Sequence, residues 1–384
     1  MAADDLRVLQ CYAGNLYGGI ERQLVMFAQD GHEEYPLGRS FALCYPGRLS
    51  KELAQTQADI HWMGEVRLSR PWSVLAARRR LKKLLERGEH DLVICHAMWP
   101  LLVFGPVVKQ CGLPLCAWAH DTAEQVHWIE KLAVRCKPDL VIANSEFTRQ
   151  HWIKFHSHLR SQVHYYAIMD PSCRDSVQVR QQVRQEIRTG ADDCVLLIAA
   201  RFEEWKGHRV LLQALAQLRD QPGWKCWIAG GAQREHEHAM VQSLQQQSQQ
   251  LQIDDRICWL GERSDVSDLM MAADIYCQPN TSGEPFGMVF VEAMLARLAV
   301  VTSDIGAPVE FIDASCGMLV PAKNASKLAD ALRTLINHPE QRADLGELAR
   351  KRALAMFGFQ SNLAKLRQSL GQLVTEQRKL GGDD

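Results

Sequence analysis

The sequence predicts an α/β protein with two doubly wound, mostly parallel sheets, one after the other along the chain. Three observations carry that prediction. Short apolar runs recur between helical patterns, the alternation of strand and crossover helix. The series is interrupted once, around residues 168–174, by a turn and then a polar helix rich in Gln and Arg, after which it begins again. The chain has 384 residues, a length that is a soft prior for two domains, and its 47% hydrophobic and 23% charged residues are ordinary for a globular protein.

In the first half, strands are expected at 6–13, 41–45, 60–63, 92–96, 115–120, 140–144 and 163–167. The first leads into Gly14-Asn-Leu-Tyr-Gly18-Gly19-Ile-Glu21 and a helix over 22–29. These glycines sit late and adjacent, so this is not the dinucleotide fingerprint, which places G-x-G-x-x-G directly after the strand. The Gly18-Gly19 turn still lets backbone amides approach an anion closely. Ligands of doubly wound sheets bind beyond the carboxyl ends of the strands. His96, His120 with Asp121, and Asn144 with Ser145 fall at such ends. The histidines His151, His156, His158 and His164 lie on or beside a surface helix with no cysteine or acid at ligand spacing, so no metal site is expected there. Arg67, Arg70, Arg78, Arg79, Arg80, Lys82, Lys83 and Arg87 surround Leu75, Leu81, Leu84 and Leu85, the pattern of a basic amphipathic helix. Such a helix is either a solvated face packed on a sheet or a contact with anionic lipid or a phosphate-bearing acceptor.

A domain boundary is expected near residue 170, giving domains 1–170 and 171–356 and a closing helix and tail over 357–384. Strands follow at 195–199, 226–229 with a Gly230-Gly231 turn, 257–260, 275–278, 300–303 and 318–321. Helices are expected at 177–188, 210–219, 237–250, 327–337, 339–356 and 360–378, and residues 381–384 should fray.

One stretch of the second half stands out, running from Gln278 through Glu284-Pro285-Phe286-Gly287-Met288 to Glu292 and Ala296. Pro285 suits the first position of a helix, where its missing N–H is no loss. The amides of Phe286 to Met288 would then make the helix start an anion site. Glu292 is a lone carboxylate about two turns into an apolar helix, costly unless it meets a partner. Upstream, Arg201-Phe-Glu-Glu-Trp-Lys206-Gly207 ends one strand and opens the next helix.

Glu284 and Glu292, eight positions apart across Glu-Pro-Phe-Gly, resemble the signature of the retaining glycosyltransferases of family four, which have the GT-B fold. Arg201 with Lys206 is similar to that family's second signature. The resemblance implies two Rossmann-like domains facing a cleft, with the donor nucleotide on the second, the acceptor on the first and a last helix crossing back to the first. It implies that Glu284 and His120 orient the donor sugar and that Glu292 holds the ribose. The diphosphate would be met by Arg201, Lys206, Gly230 and the amides of Phe286, Gly287 and Met288, with Gly18 and Gly19 facing phosphates and acceptor. A leaving nucleoside diphosphate gains negative charge, which an Arg fork and a Lys point charge neutralise without a metal ion. The expected function is retaining transfer from a nucleotide sugar to a glycan, lipid-linked in bacterial polysaccharide or lipopolysaccharide synthesis, with no cofactor. The alternatives are a sugar-nucleotide epimerase or hydrolase on the same fold, or a non-catalytic partner subunit.

Composition narrows the rest. A net charge of −1 argues against a general nucleic-acid binder. The twelve cysteines are scattered, without Cys-x-x-Cys, and read as reduced core residues. No apolar run reaches membrane-spanning length, and Asp4, Asp5 and Arg7 interrupt any signal peptide. The expected location is the cytoplasm, or the inner face of the cytoplasmic membrane through residues 67–87.

Overall fold

The computed structural model describes residues 6–15, 18–29, 37–122, 127–170, 176–232 and 235–380. The chain divides into two compact units, one taking in the chain as far as Met169 and again from Phe359, the other Asp170–Gly358. The turn expected after Asp170 and the tail 381–384 lie outside the described residues.

The first unit holds strands β1 (Val8–Tyr12), β2 (Ser40–Leu43), β3 (Asp59–Trp62), β4 (Leu92–His96), β5 (Leu115–Ala119), β6 (Leu140–Ala143) and β7 (Ser161–Val163). All pairings are parallel, in the order β3-β2-β1-β4-β5-β6-β7. Strands buried on both faces must be nearly continuous apolar runs, and β1, β4, β5 and β6 are buried throughout. The chain order reverses between β1 and β4, the switch point at which such sheets bind ligands. Helices α1 (Gly19–Gln29), α2 (Arg48–Leu53), α3 (Pro71–Leu85), α4 (Met98–Gln110), α5 (Trp128–Ala133) and α6 (Glu146–His156) connect the strands.

Two expectations for this unit need correction. The last strand ends at Val163 rather than 167: His164 still donates its amide to the Ala143 carbonyl (2.9 Å), but beyond it the chain leaves the ladder. Tyr166 then lays its ring 5.8 Å from that of His120, so an aromatic run that reads as strand serves to cover the sheet end. In α3 the basic residues are not all on a solvated face. Arg78 donates to the carbonyls of Val103 (2.8 Å) and Leu102 (3.0 Å), and Arg80 to that of Met63 (2.6 Å).

The second unit holds α7 (Ser176–Glu186), β8 (Cys194–Ala199), α8 (His208–Ala216), β9 (Trp224–Ala229), α9 (Glu235–Gln250), β10 (Ile257–Gly261), α10 (Val266–Ala272), β11 (Ile275–Gln278), α11 (Met288–Leu295), β12 (Ala299–Ser303), β13 (Gly317–Val320), α12 (Ala325–Asn337) and α13 (Pro339–Phe357). Its six parallel strands run β10-β9-β8-β11-β12-β13, the order of dinucleotide-binding sheets with a switch point between β8 and β11. Leu196, Ile198, Leu211, Leu215, Ile228, Val301, Leu328 and Leu332 fill its core. After Gly358, α14 (Phe359–Leu380) belongs to the first unit. There Arg378 pairs with Asp91 (2.8 Å), Arg160 with Glu376 (2.5 Å), and Ser369 lies 3.1 Å from the His164 ring. Among the described residues no helix is long and apolar enough to cross a membrane.

Candidate active site

In the second unit, three loops leaving the carboxyl ends of β8, β11 and β12 meet around Glu284. Gly207 follows the short 3-10 turn Glu204–Lys206 with φ +82°, and a Cβ there would lie 1.8 Å from the Pro279 carbonyl oxygen. Only glycine allows that approach, and it presses the β8 loop onto the β11 loop, where Thr281 also donates its amide to the Trp205 carbonyl (2.8 Å). From the β12 loop, the Ala307 amide donates to the Glu284 carbonyl (2.8 Å).

This fixed backbone delivers a directed chain of side chains. The Tyr276 hydroxyl donates to Gln278 Oε1 (2.7 Å), Gln278 Nε2 to Asn280 Oδ1 (2.9 Å), and Asn280 Nδ2 to Glu284 Oε2 (3.2 Å). Lys206 Nζ reaches the same Glu284 oxygen at 2.7 Å, with 13% and 10% of the two side chains exposed, and sits 3.8 Å from the centre of the Trp205 ring. Glu284 is thereby anchored through Oε2, while Oε1 has no protein hydrogen bond among the described residues. Burial pushes the Tyr276 phenol well above its usual range, and the nearby carboxylates Glu284 and Glu292 add to that.

The other predicted residues of this unit fall around that centre. Arg201 is half exposed and meets Glu203 at 3.1 Å, so its guanidinium is not drawn onto Glu284. Glu292 lies half-buried on α11. Gly230 packs against the Arg201 loop, a Cβ there falling 2.2 Å from the Ala200 carbonyl oxygen. Phe286 is buried against Phe311 and Phe357 (5.8 and 5.7 Å between rings) and anchors the loop. Gly287 precedes α11 with φ +82°, and Met288 is the first helical residue. Pro285 is therefore not the first helical position, as its sequence context suggests: the left-handed Gly287 stands between it and the helix, which begins three residues later.

In the first unit, strand register and pleat assemble a second polar chain. Gln10 is opposite Ile94 and His96 is opposite Trp118, so a period of two puts Gln10, His96, Trp118 and His120 on one face. Gln10 Nε2 donates to the Leu37 carbonyl (2.8 Å), leaving Gln10 Oε1 to accept from His96 Nε2 (2.7 Å). His96 Nδ1 lies 2.9 Å from His120 Nε2, and His120 Nδ1 lies 2.5 Å from the Tyr166 hydroxyl. Asn144 Nδ2 donates to the His120 carbonyl (3.1 Å). The Trp118 ring stacks near both imidazoles, at 5.4 and 5.7 Å. Burial drives His96 down to about 3, and burial together with neighbouring His96 holds His120 well below the usual imidazole value. Both rings are neutral at physiological pH.

At the Gly-Gly turn, Gly19 opens α1 and Gly18 precedes it, while Leu16 and Tyr17 of the same loop lie outside the described residues. The buried Glu21 in the first turn of α1 accepts from the Tyr12 hydroxyl at 2.5 Å, which puts an internal carboxylate at this helix start. Gln10, Tyr166, Gln278 and Asn280 escape the sequence reading. For Gln10 and Gln278 a signal exists: each is the polar residue in an otherwise apolar buried strand, VLQCY and IYCQ.

Comparison with known proteins agrees with this architecture. Residues 17–165 match the family described as Glycosyltransferase Family 4, and residues 179–352 match Glycosyl transferases group 1. The putative glycosyltransferase EpsD of Bacillus subtilis is 25% identical over 297 residues, 73% of this chain and 76% of that protein. A phosphatidyl-myo-inositol mannosyltransferase of Mycobacterium leprae is 37% identical over 148 residues, which are 38% of this chain and 37% of that protein. Among solved structures, HepE of Anabaena in complex with UDP superposes with a TM-score of 0.85 at 24% identity, over 96% of this chain and 100% of that one, a likeness of fold. With one family match on each unit and a GT-B fold throughout, the chain belongs to the group 1 glycosyl transferases of family four.

Proposed function

We propose that this glycosyltransferase moves a sugar from a nucleotide-activated donor to a glycan acceptor with retention of anomeric configuration. The observation that carries the reading is the anchoring of Glu284. A carboxylate held through Oε2 by Lys206 and Asn280, with Oε1 unoccupied by the protein, suits acceptance of sugar hydroxyls. In this reading Arg201 and Lys206, with Gly230 and the amides of Phe286, Gly287 and Met288, neutralise the departing diphosphate on the second unit. Glu292 holds the ribose and His120 orients the sugar. The first unit takes the acceptor, and at the Gly18-Gly19 turn the Glu21 carboxylate favours acceptor hydroxyls over phosphate. The leaving phosphate takes the acceptor's proton, and the new bond forms on the face the nucleotide leaves. The positive charge comes from protein side chains, so no metal is required. HepE binds UDP and UDP-glucose, which supports a uridine nucleotide as donor.

The acceptor in this reading is lipid-linked, a growing bacterial polysaccharide or lipopolysaccharide core at the inner face of the cytoplasmic membrane. The support is α3, where Trp72 and Leu75 are 68% and 51% exposed beside Arg79, Lys82 and Lys83. A melting panel of UDP-, GDP- and ADP-sugars tests the donor. A ligand at 100 times its Kd stabilises by about 2.7 kcal/mol, which raises the melting midpoint by roughly 3 °C at this size. Turnover with the stabilising donor should survive EDTA and give a product of unchanged anomeric configuration by NMR. A panel without any shift, or activity lost to EDTA and restored by Mg²⁺ or Mn²⁺, would remove this reading.

A further inference from the structure

The buried chain from Gln10 to Tyr166 admits one arrangement of protons. The Leu37 carbonyl can only accept, so it fixes Gln10 with Nε2 toward it and Oε1 toward His96 (2.8 and 2.7 Å). His96 Nε2 must then carry the proton, and because the ring is neutral His96 Nδ1 is an acceptor. His120 Nε2 therefore donates to it (2.9 Å), leaving His120 Nδ1 to accept from the Tyr166 hydroxyl (2.5 Å). The reverse assignment would set two bare lone pairs against each other between His96 Nε2 and Gln10 Oε1. The Asn144 amide supports the same direction, since its Nδ2 donates to the His120 carbonyl (3.1 Å) and also to the Tyr166 oxygen (3.4 Å), which accepts there and so donates its own hydrogen to His120.

We propose that Gln10 and His96 are positioning residues for the transfer reaction, locking His120 as its neutral Nε2–H tautomer in one orientation although neither needs to touch substrate. The proposal rests on the glycosyl-transfer reading only for its kinetic part. Held in this way His120 is no proton carrier: both ring nitrogens are engaged inside the protein, and the imidazole serves as a rigid wall of the site. Gln10 acts at the far end of the chain, so its effect must pass through His96.

Nitrogen-15 NMR of the histidine rings at pH 7 should show His96 and His120 both as Nε2–H tautomers in the native protein. Gln10→Leu removes the acceptor at the start of the chain and permits reversal, so His120, which Gln10 does not touch, should show a mixed or Nδ1–H tautomer. Nucleotide release from UDP-glucose, GDP-mannose or ADP-glucose should fall at least tenfold in kcat, with UDP, GDP or ADP affinity unchanged. His96→Leu should behave alike. His96→Gln, whose amide oxygen accepts from His120 and whose NH₂ donates to Gln10, should recover turnover to within about threefold of native; this pair decides the matter if Gln10→Leu does not fold. A His120 that stays Nε2–H in Gln10→Leu, turnover within twofold of native in both leucine variants, or equal loss in His96→Gln and His96→Leu overturns the proposal. If the native protein turns over none of the three donors, the glycosyl-transfer reading fails, and the tautomers alone decide whether the lock exists.

Discussion

Arg201 and Lys206 are two basic residues on one loop, yet their surroundings separate what their loss should do. Lys206 faces the buried carboxylate of Glu284, so Lys206→Met leaves that charge without its counter-ion. The expected result is turnover reduced about 100-fold or more together with a stability loss of about 3 kcal/mol. Arg201 is half exposed and, among the described residues, pairs only with the side chain of Glu203, so Arg201→Met should lower turnover on a similar scale while stability stays within about 0.5 kcal/mol. Steady-state kinetics and denaturant melts of both variants check this. Equal stability losses would contradict the ion-pair geometry. Tyr276, Gln278 and Asn280 fix the orientation of the buried Glu284 side chain, since each donates along a chain that ends on its Oε2.

Among the elements, the loops after β8 and β11 depend on one glycine. Gly207→Ala forces a left-handed residue to carry a Cβ, at about 1–2 kcal/mol, and also drives that Cβ into the Pro279 carbonyl. Gly223 has a similar φ of +79° but open space around it, so Gly223→Ala carries the backbone term alone. Gly207→Ala should therefore melt several degrees below Gly223→Ala and lose turnover, which Gly223→Ala should not. Matching melting points would mean the loop contact is slack. For α3, the inward commitment of Arg78 and Arg80 decides which variant is informative. Arg79, Lys82 and Lys83 are exposed and, among the described residues, donate to no backbone carbonyl. Each basic residue near an anionic leaflet contributes about 1 kcal/mol, screened by salt. The native protein should float with anionic vesicles at low salt and release at high salt, and a triple Arg79/Lys82/Lys83→Glu variant should stay in solution. Failure of the native protein to float at low salt would make α3 an ordinary solvated helix.

Across the whole molecule, buried neutral histidines set the acid limit of stability. Burial lowers His96 and His208 to about 3 and His164 to about 4, and holds His120 well down. In the unfolded chain all four take up protons near pH 6.5. The unfolded state therefore binds more protons than the native one below that pH, and stability falls as pH drops from about 6.5 toward 4. Each group contributes up to about 1.4 kcal/mol per pH unit in that window. Lowered carboxylates such as Asp91 join only at more acid pH. Melting midpoints should thus decline steadily from pH 7 to pH 5, and a flat profile would contradict burial of neutral imidazoles in both units.

The sequence alone determined the alternation of strands and helices, because parallel strands covered on both faces have to be apolar runs and their crossovers amphipathic. Arg201, Lys206, Glu284 and Glu292 were legible as well, being charged residues set against apolar or glycine-rich surroundings at a recognisable spacing. Local rules failed where non-local contact outweighed them. Pro285 reads as a helix start, yet the helix begins after Gly287, whose left-handed backbone fits a loop clamped by residues of two other strands. Tyr166 reads as strand and instead caps a sheet end. Gln10 is visibly a polar residue in an apolar strand, but its partner His96 is 86 positions away and His120 another 24 beyond. Only the order and register of β1, β4 and β5 place those side chains on one face within hydrogen-bond reach. Tertiary structure therefore decided which polar groups meet, because a buried donor must find an acceptor wherever the sheet brings one.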